Sequence, residues 1–186
     1  MITDLTEIKN YCKDKNICLL GNARSVLNTQ KNIDQYDIIG RMNHGLPKGK
    51  EKFIGSRTDI LFSSTRLSNS EILQFHSKYM VWMTASIKRL PEYLHSCTIQ
   101  NPPEDWQELK DKYSKDKLPS TGCIVINFLL KHIEFNSLTI YGFDHFLKSG
   151  THYHNLKNQI WHNGEFEKEL ITSWIKNRQN MKIIYE

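Results

Sequence analysis

The chain carries the stretch THYHNLKNQIWHNGEFEKE at 151–169, which holds three of its eight histidines, and a fourth, His145, lies just upstream. Imidazole is the side chain whose ordinary titration falls nearest neutral pH, so histidine serves as general acid, general base or metal ligand. His152 and His154 would share one face of a strand. A zinc site, however, needs a fuller ligand set at suitable spacing. No H-E-x-x-H occurs here and no cysteine is near. His162 precedes Glu167, a carboxylate at the start of an amphipathic run that could orient the imidazole. At this level proton handling, metal binding and an ordinary polar loop all stay open.

Three other stretches have residues suited to binding. LLGNARSVLN at 19–28 is an apolar run that ends at Gly21 and turns through polar residues. Asn22 and Ser25 there either face a ligand beyond a strand end or make a turn and a helix cap. It is not a G-x-G-x-x-G fingerprint, because Gly21 is its only glycine. GRMNHG at 40–45 ends the next apolar run and would bring Asn43 near Asn22 if the two strands are neighbours. A plain turn residue is the alternative. In LPSTGCIVINFLLKHI at 118–133, Pro119, Ser120 and Thr121 precede an apolar helical run, which is a helix-start signature. The first turn of such a helix presents unpaired N–H groups and the positive end of its dipole to an anion. Capping alone does not require Gly122, where glycine costs roughly 1 kcal/mol relative to alanine. Close approach of a ligand to the backbone would explain it.

These segments must be positioned by alternating strands and helices. Apolar, β-rich runs at 17–21, 36–43, 58–64, 79–84, 137–143 and 181–186 read as buried strands. Amphipathic runs at 5–13, 70–77, 87–95, 104–113, 121–133 and 166–177 read as helices. Buried strands separated by helices predict an α/β fold, a single Rossmann-like domain over 1–186 with a mostly parallel sheet and helices on both faces.

The bulk properties bound the functional classes. The longest apolar run, CIVINFLL at 123–130, is too short to span a bilayer, and the N-terminal stretch lacks the apolar core of a signal peptide. The cytoplasm is therefore the expected location. The four cysteines, Cys12, Cys18, Cys97 and Cys123, form no C-x-x-C pair and suggest neither a zinc ribbon nor a disulfide framework. The net charge of +5 suits an anionic partner. Its lysines are spread along the chain, which reads as a solvated surface, so nucleic acid is not an expected partner.

In order along the chain these pieces form a pattern. LLGNARSVLN, YDIIGRMNHG and IGSRTDILF together resemble the large sialyl motif of the animal-type sialyltransferases, glycosyltransferase family 29. LPSTGCIVINFLLKHIEFNSLTIYGF resembles their small sialyl motif. THYH resembles their third motif, centred on His152 and Tyr153, and HNGEFE resembles their very small motif, with His162 and Glu167. The G-N turn, the helix start and the H-Y segment also resemble the Campylobacter-type bacterial sialyltransferases. The motifs leave residues 65–117 unmatched.

The resemblance implies a variant GT-A fold and an inverting glycosyltransferase that needs no metal or other cofactor. It implies transfer of sialic acid from CMP-sialic acid to a hydroxyl of a glycan or glycolipid acceptor, such as a lipopolysaccharide precursor. Asn22, Ser25 and Asn43 would hold the donor's phosphate and ribose. Ser120, Thr121 and Gly122 would meet the sugar carboxylate, and Gly142, Phe143 and Tyr153 would complete the donor site. His152 would contact the leaving phosphate, and His162 would deprotonate the acceptor with support from Glu167. A donor such as CMP-Kdo, or a catalytically silent CMP-binding module, fits the same residues. The family's motifs share a disulfide. Here Cys18 is displaced toward Gly21 and the small motif has no cysteine at the corresponding place, which suits a reducing cytoplasm. The basic surface is compatible with peripheral association at the inner face of a membrane.

Overall fold

A computed structural model of the chain describes residues 4–145 and 161–185. Its centre is a seven-stranded sheet in the order β5-β4-β3-β2-β1-β6-β7. The strands are β1 Asn16–Leu20, β2 Ile38–Met42, β3 Ile60–Ser63, β4 Tyr79–Trp82, β5 Ile99–Gln100, β6 Ser137–Tyr141 and β7 Met181–Ile184. Every pairing is parallel. The helices are α1 Leu5–Cys12, α2 Glu51–Ile54, α3 Asn69–Phe75, α4 Pro103–Lys110, α5 Thr121–His132 and α6 Gly164–Ile175.

The order of strands sets the position of the site. From β1 the chain steps outward to β5, then returns across the sheet to β6 on the other side of β1. Crossovers between parallel strands keep one hand, so reversing the direction of travel moves the connections to the opposite face. It also opens a crevice beyond the carboxyl end of β1, where the two halves diverge.

The side chains follow that division. Ile17 and Leu19 of β1 point to the face where Ile8 and Cys12 of α1, the body of α5 and Ile171 of α6 form the main core. Cys18 and Leu20 point the other way, onto Val26, Ile33 and Ile54. That second face is covered by α2, α3 and short 3₁₀ turns, so the two layers of helix expected on the sheet are unequal. Helix α5 is buried from Gly122 through Leu129, which is why its sequence is apolar all round and not on one stripe.

Two expectations require correction. The run at 87–95 is not one helix. It forms two 3₁₀ turns, Ile87–Arg89 and Glu92–Cys97, separated by Leu90 and Pro91. Pro91 lacks an N–H and pushes Leu90 toward extended geometry, here φ −88° and ψ 142°. The strand Ile99–Gln100 has no expected counterpart, because two residues at a sheet edge leave no periodic signal. Among the described residues no helix is long and apolar enough to cross a membrane.

Candidate active site

At the carboxyl ends of β1, β2 and β6 lies a cleft, closed on one side by the start of α5 and on another by α6. Its floor is the crossing of two backbones. Gly21 follows β1, and its N–H donates to the carbonyl of Tyr141 at 2.8 Å. The N–H of Ala23 donates to the carbonyl of Gly142 at 3.1 Å. A Cβ on Gly21 would stand 2.2 Å from the Gly142 oxygen, and Gly142 itself has φ +70°. Neither position accepts a side chain, which accounts for the glycines after both strands.

The cleft wall is a set of polar groups fixed by other protein groups. The buried Asn22 donates from Nδ2 to the Met42 carbonyl at 3.0 Å, joining the end of β1 to the end of β2. Asn43 sits at φ +49°, a left-handed conformation that asparagine tolerates better than most residues. Its Oδ1 accepts from the Ser64 N–H at 2.9 Å, and its Nδ2 donates to Thr121 Oγ1 at 3.0 Å. Ser64 also hydrogen-bonds Thr121 through its hydroxyl. The start of α5 is thereby tied to β2 and β3. Each carboxamide keeps further hydrogen-bonding capacity for a ligand, since an asparagine side chain has two N–H donors and a two-lone-pair acceptor.

Ser120 is the N-cap of α5, accepting from the Cys123 N–H at 3.2 Å. Its own N–H and hydroxyl both donate to Glu167 of α6, at 2.7 and 2.5 Å. Glu167 is 2% exposed. Burial raises its carboxyl above the ordinary glutamate range, against the pull of the Ser120 hydrogen bonds and of nearby His162. Beyond this anchor, Thr121 and Gly122 present the first-turn N–H groups that an α-helix leaves unpaired, and both line the cleft. Gly122 has an explanation within the protein. A Cβ there would stand 2.5 Å from Cε1 of Phe143, so the glycine makes room for that ring against the helix start.

His162 reaches the cleft from just before α6. Its Nδ1 lies 2.8 Å from the carbonyl of Leu118. A carbonyl only accepts, so Nδ1 carries a proton, and in the neutral tautomer Nε2 is the nitrogen that accepts. The Leu118 main chain is thus one group that orients the ring. Glu167 accepts two hydrogen bonds from Ser120 and acts on His162 as a nearby carboxylate.

The structure brings together Asn22, Asn43, Ser120, Thr121, Gly122, Gly142, Phe143, His162 and Glu167. It does not bring Ser25 to the cleft: that residue lies in the 3₁₀ turn Arg24–Leu27, where its carbonyl accepts from the Asn28 N–H. His152 and Tyr153 lie outside the described residues. Sequence reasoning assigned no role to His145, which lines the cleft, is 5% exposed and meets the Tyr185 hydroxyl at 3.3 Å. Burial lowers its pKa, with Asp144 opposing and Lys168 reinforcing the shift. Its position just past a strand end was the available signal. Ser64 gave none, since serine after a strand is commonplace.

Other residues of the large motif brace the site without lining it. Arg41, 1% exposed, donates to the carbonyls of Ile54, Gly55 and Arg57 and to Thr58 Oγ1. Asp34 accepts from the N–H and hydroxyl of Ser56 and from the Arg57 N–H. The R-M-N and G-S-R-T stretches therefore owe much of their composition to closing the loop that enters β3.

No family model matches the chain, and no curated protein matches it. Solved structures do. A mammalian sialyltransferase matches with a TM-score of 0.62 at 19% identity, over 99% of this chain and 73% of the other. The α-2,3-sialyltransferase Cst-I of Campylobacter jejuni matches at 0.61 and 15% identity, over 100% of this chain and 78% of its own. The sialyltransferase CstII of the same organism matches at 0.62 and 10% identity, over 92% and 80%. The chain has the Rossmann-like fold of these sialyltransferases. The neighbours include both groups that its sequence motifs resemble.

Proposed function

We propose that this protein is an inverting glycosyltransferase that moves sialic acid, or a related 2-keto sugar acid, from a CMP-linked donor to a glycan hydroxyl. The observation that carries the reading is the geometry around His162. An imidazole whose Nδ1 faces the Leu118 carbonyl, which in the neutral tautomer makes Nε2 the acceptor, lines a cleft. That cleft lies at the switch point of a sialyltransferase fold, with a helix start facing it. CstII has been solved with CMP and with CMP plus a trisaccharide acceptor. A mammalian sialyltransferase has been solved in complex with Gal-β-1,3-GalNAc-ortho-nitrophenol.

In this reading the acceptor oxygen forms a bond to the anomeric carbon of the donor sugar as the bond from that carbon to the phosphate oxygen breaks. CMP leaves with the electron pair, and His162 Nε2 takes the acceptor's proton. Asn22 and Asn43 hold the phosphate and ribose. The N–H groups of Thr121 and Gly122 meet the sugar carboxylate, where the helix dipole favours negative charge. Phe143 and Gly142 flank the nucleoside. His152 stabilises charge gathering on the departing phosphate. No metal or other cofactor takes part, and activity is expected to survive EDTA.

The reading places the enzyme on the reducing, cytoplasmic side of a membrane, acting on a glycolipid or glycan precursor. The four free cysteines support this, three of them buried. Burial pushes the Cys12 and Cys18 thiols up to about 12, away from thiolate chemistry.

A donor screen tests the proposal. CMP-Neu5Ac and CMP-Kdo are offered with galactosides and lipid-linked acceptors, and CMP release is followed with and without acceptor. Acceptor-dependent release from one of them is expected. CMP binding without release from any donor would instead indicate a silent binding module.

A further inference from the structure

Tyr113 stands in the charged stretch KDKYSKDK at 110–117, yet it is only 8% exposed. Its hydroxyl donates to Sγ of Cys123 at 3.3 Å. Its ring meets Phe166 edge to face, with centroids 4.8 Å apart and planes at 79°, a geometry that aromatic pairs favour. Cys123 is the third residue of α5, and Phe166 is the third residue of α6. Tyr113 therefore fills the space between the first turns of the two helices. Burial pushes its pKa above the ordinary tyrosine range, so the hydroxyl stays a donor at neutral pH. The same hydroxyl acts on Glu167, drawing down a carboxyl that burial raises.

The base of the proposed transfer is held by the segments that enter these same two helices. His162 lies just before α6, and Leu118 lies just before the Ser120 cap of α5. His162 Nδ1 donates to the Leu118 carbonyl at 2.8 Å, and the Leu118 N–H donates to the Trp161 carbonyl at 2.9 Å. Both bonds cross from one entering segment to the other, so both depend on the spacing of the helix starts. Glu167 and Ser120 join those starts at one point. A single point of attachment leaves a pivot, and Tyr113 supplies a second.

We propose that Tyr113 is a positioning residue for His162, a spacer that fixes the two helix starts at the separation the bond from His162 to Leu118 requires. This rests on the transferase reading and adds a residue that the motifs did not include. Tyr113 is not part of the cleft lining, so it acts through the orientation of the imidazole and touches no reacting atom.

The test compares wild type, Tyr113→Phe and Tyr113→Leu. Phenylalanine keeps the ring, and leucine keeps apolar character without an aromatic edge or a hydroxyl. Tyr113→Met, whose flexible chain fills irregular gaps, is run in parallel so that an unfolded leucine variant leaves the test standing. One readout needs no turnover: the His162 Nδ1–H proton resonance, assigned by its loss in His162→Ala. It is expected in wild type and Tyr113→Phe, and is expected to be lost to solvent exchange in Tyr113→Leu. With CMP-Neu5Ac and lactose, Tyr113→Leu is expected to lower kcat by about 10- to 100-fold, the scale on which a small misplacement of a catalytic group acts. The CMP Kd should stay close to wild type, and Tyr113→Phe should recover most of the kcat. A leucine variant that melts earlier but keeps both the resonance and kcat would overturn the proposal, since core packing would then be the whole role of Tyr113. A CMP Kd that rises in step with the fall in kcat would overturn it too, because the cleft as a whole would have shifted. Loss of the resonance in Tyr113→Leu, from a wild type that transfers no sugar, would count against the transferase reading and leave the positioning role supported.

Discussion

Glu167 of α6 accepts both the main-chain N–H and the hydroxyl of Ser120, the residue that caps α5. One carboxylate thereby sets where the helix start faces the cleft. Replacing Glu167 with alanine leaves two buried donors without their acceptor, at a cost of about 2–3 kcal/mol. Ser120→Ala removes the cap and one donor and is expected to cost about 1–2 kcal/mol. Because the two act through one contact, the double variant should lose less than the sum. Urea melts of the four proteins measure this, and strict additivity would show that the contact does not couple the helices.

Gly122 and Phe143 share one space. A Cβ at 122 falls 2.5 Å from the Phe143 ring, a distance that forces the ring to move. Gly122→Ala is expected to destabilise the fold by about 1–3 kcal/mol, as overpacking does. The penalty should shrink in a Phe143→Leu background. If Gly122→Ala costs the same in both backgrounds, the ring is not the reason for the glycine. The analogous change at Gly21 should cost more, because its obstacle is the Gly142 main chain.

His145 titrates below its ordinary value of 6.5, chiefly because it is buried. In the window just below 6.5 the unfolded chain takes up the proton that the folded chain resists, so stability falls as pH falls through it. Above 6.5 the contribution of the neutral ring is fully present. His145→Asn keeps a residue suited to φ +52° and removes the titration. The stability difference between wild type and this variant should therefore change between pH 7.5 and pH 5, wild type losing more. A pH-independent difference would mean that the ring is as free to protonate folded as unfolded.

Much of this architecture was legible before any coordinates. The apolar runs around Leu19, Ile39, Leu61, Val81 and Ile140 announce a buried parallel sheet. Pro119, Ser120 and Thr121 announce the start of α5, and Ser120 is indeed its cap. The motif order pointed to the sialyltransferase fold. What stayed hidden depends on contacts between distant residues. Gly122 reads locally as room for a ligand, and the space it also leaves for the Phe143 ring could not be read there. Glu167 reads as a partner of His162 because the two are near in sequence, and its two hydrogen bonds from Ser120 could not be read there. Arg41 directly precedes Met42, which lines the cleft. The alternation of a strand sends it instead to the opposite face, where it ties the loop before β3.

The central claim is that His162 takes the acceptor's proton beside a cleft that holds a CMP-linked donor. The most direct measurement is transfer from CMP-Neu5Ac to lactose by wild type and His162→Ala, with the CMP Kd of each determined alongside. Loss of a general base is expected to lower transfer by roughly 100- to 10,000-fold. CMP affinity should be nearly unchanged, because the cleft residues proposed to hold CMP lie just beyond β1, β2 and β6 and at the start of α5. A His162→Ala protein that transfers sialic acid at the wild-type rate would contradict the account, as would a wild type that neither binds CMP nor turns over any CMP-linked sugar acid.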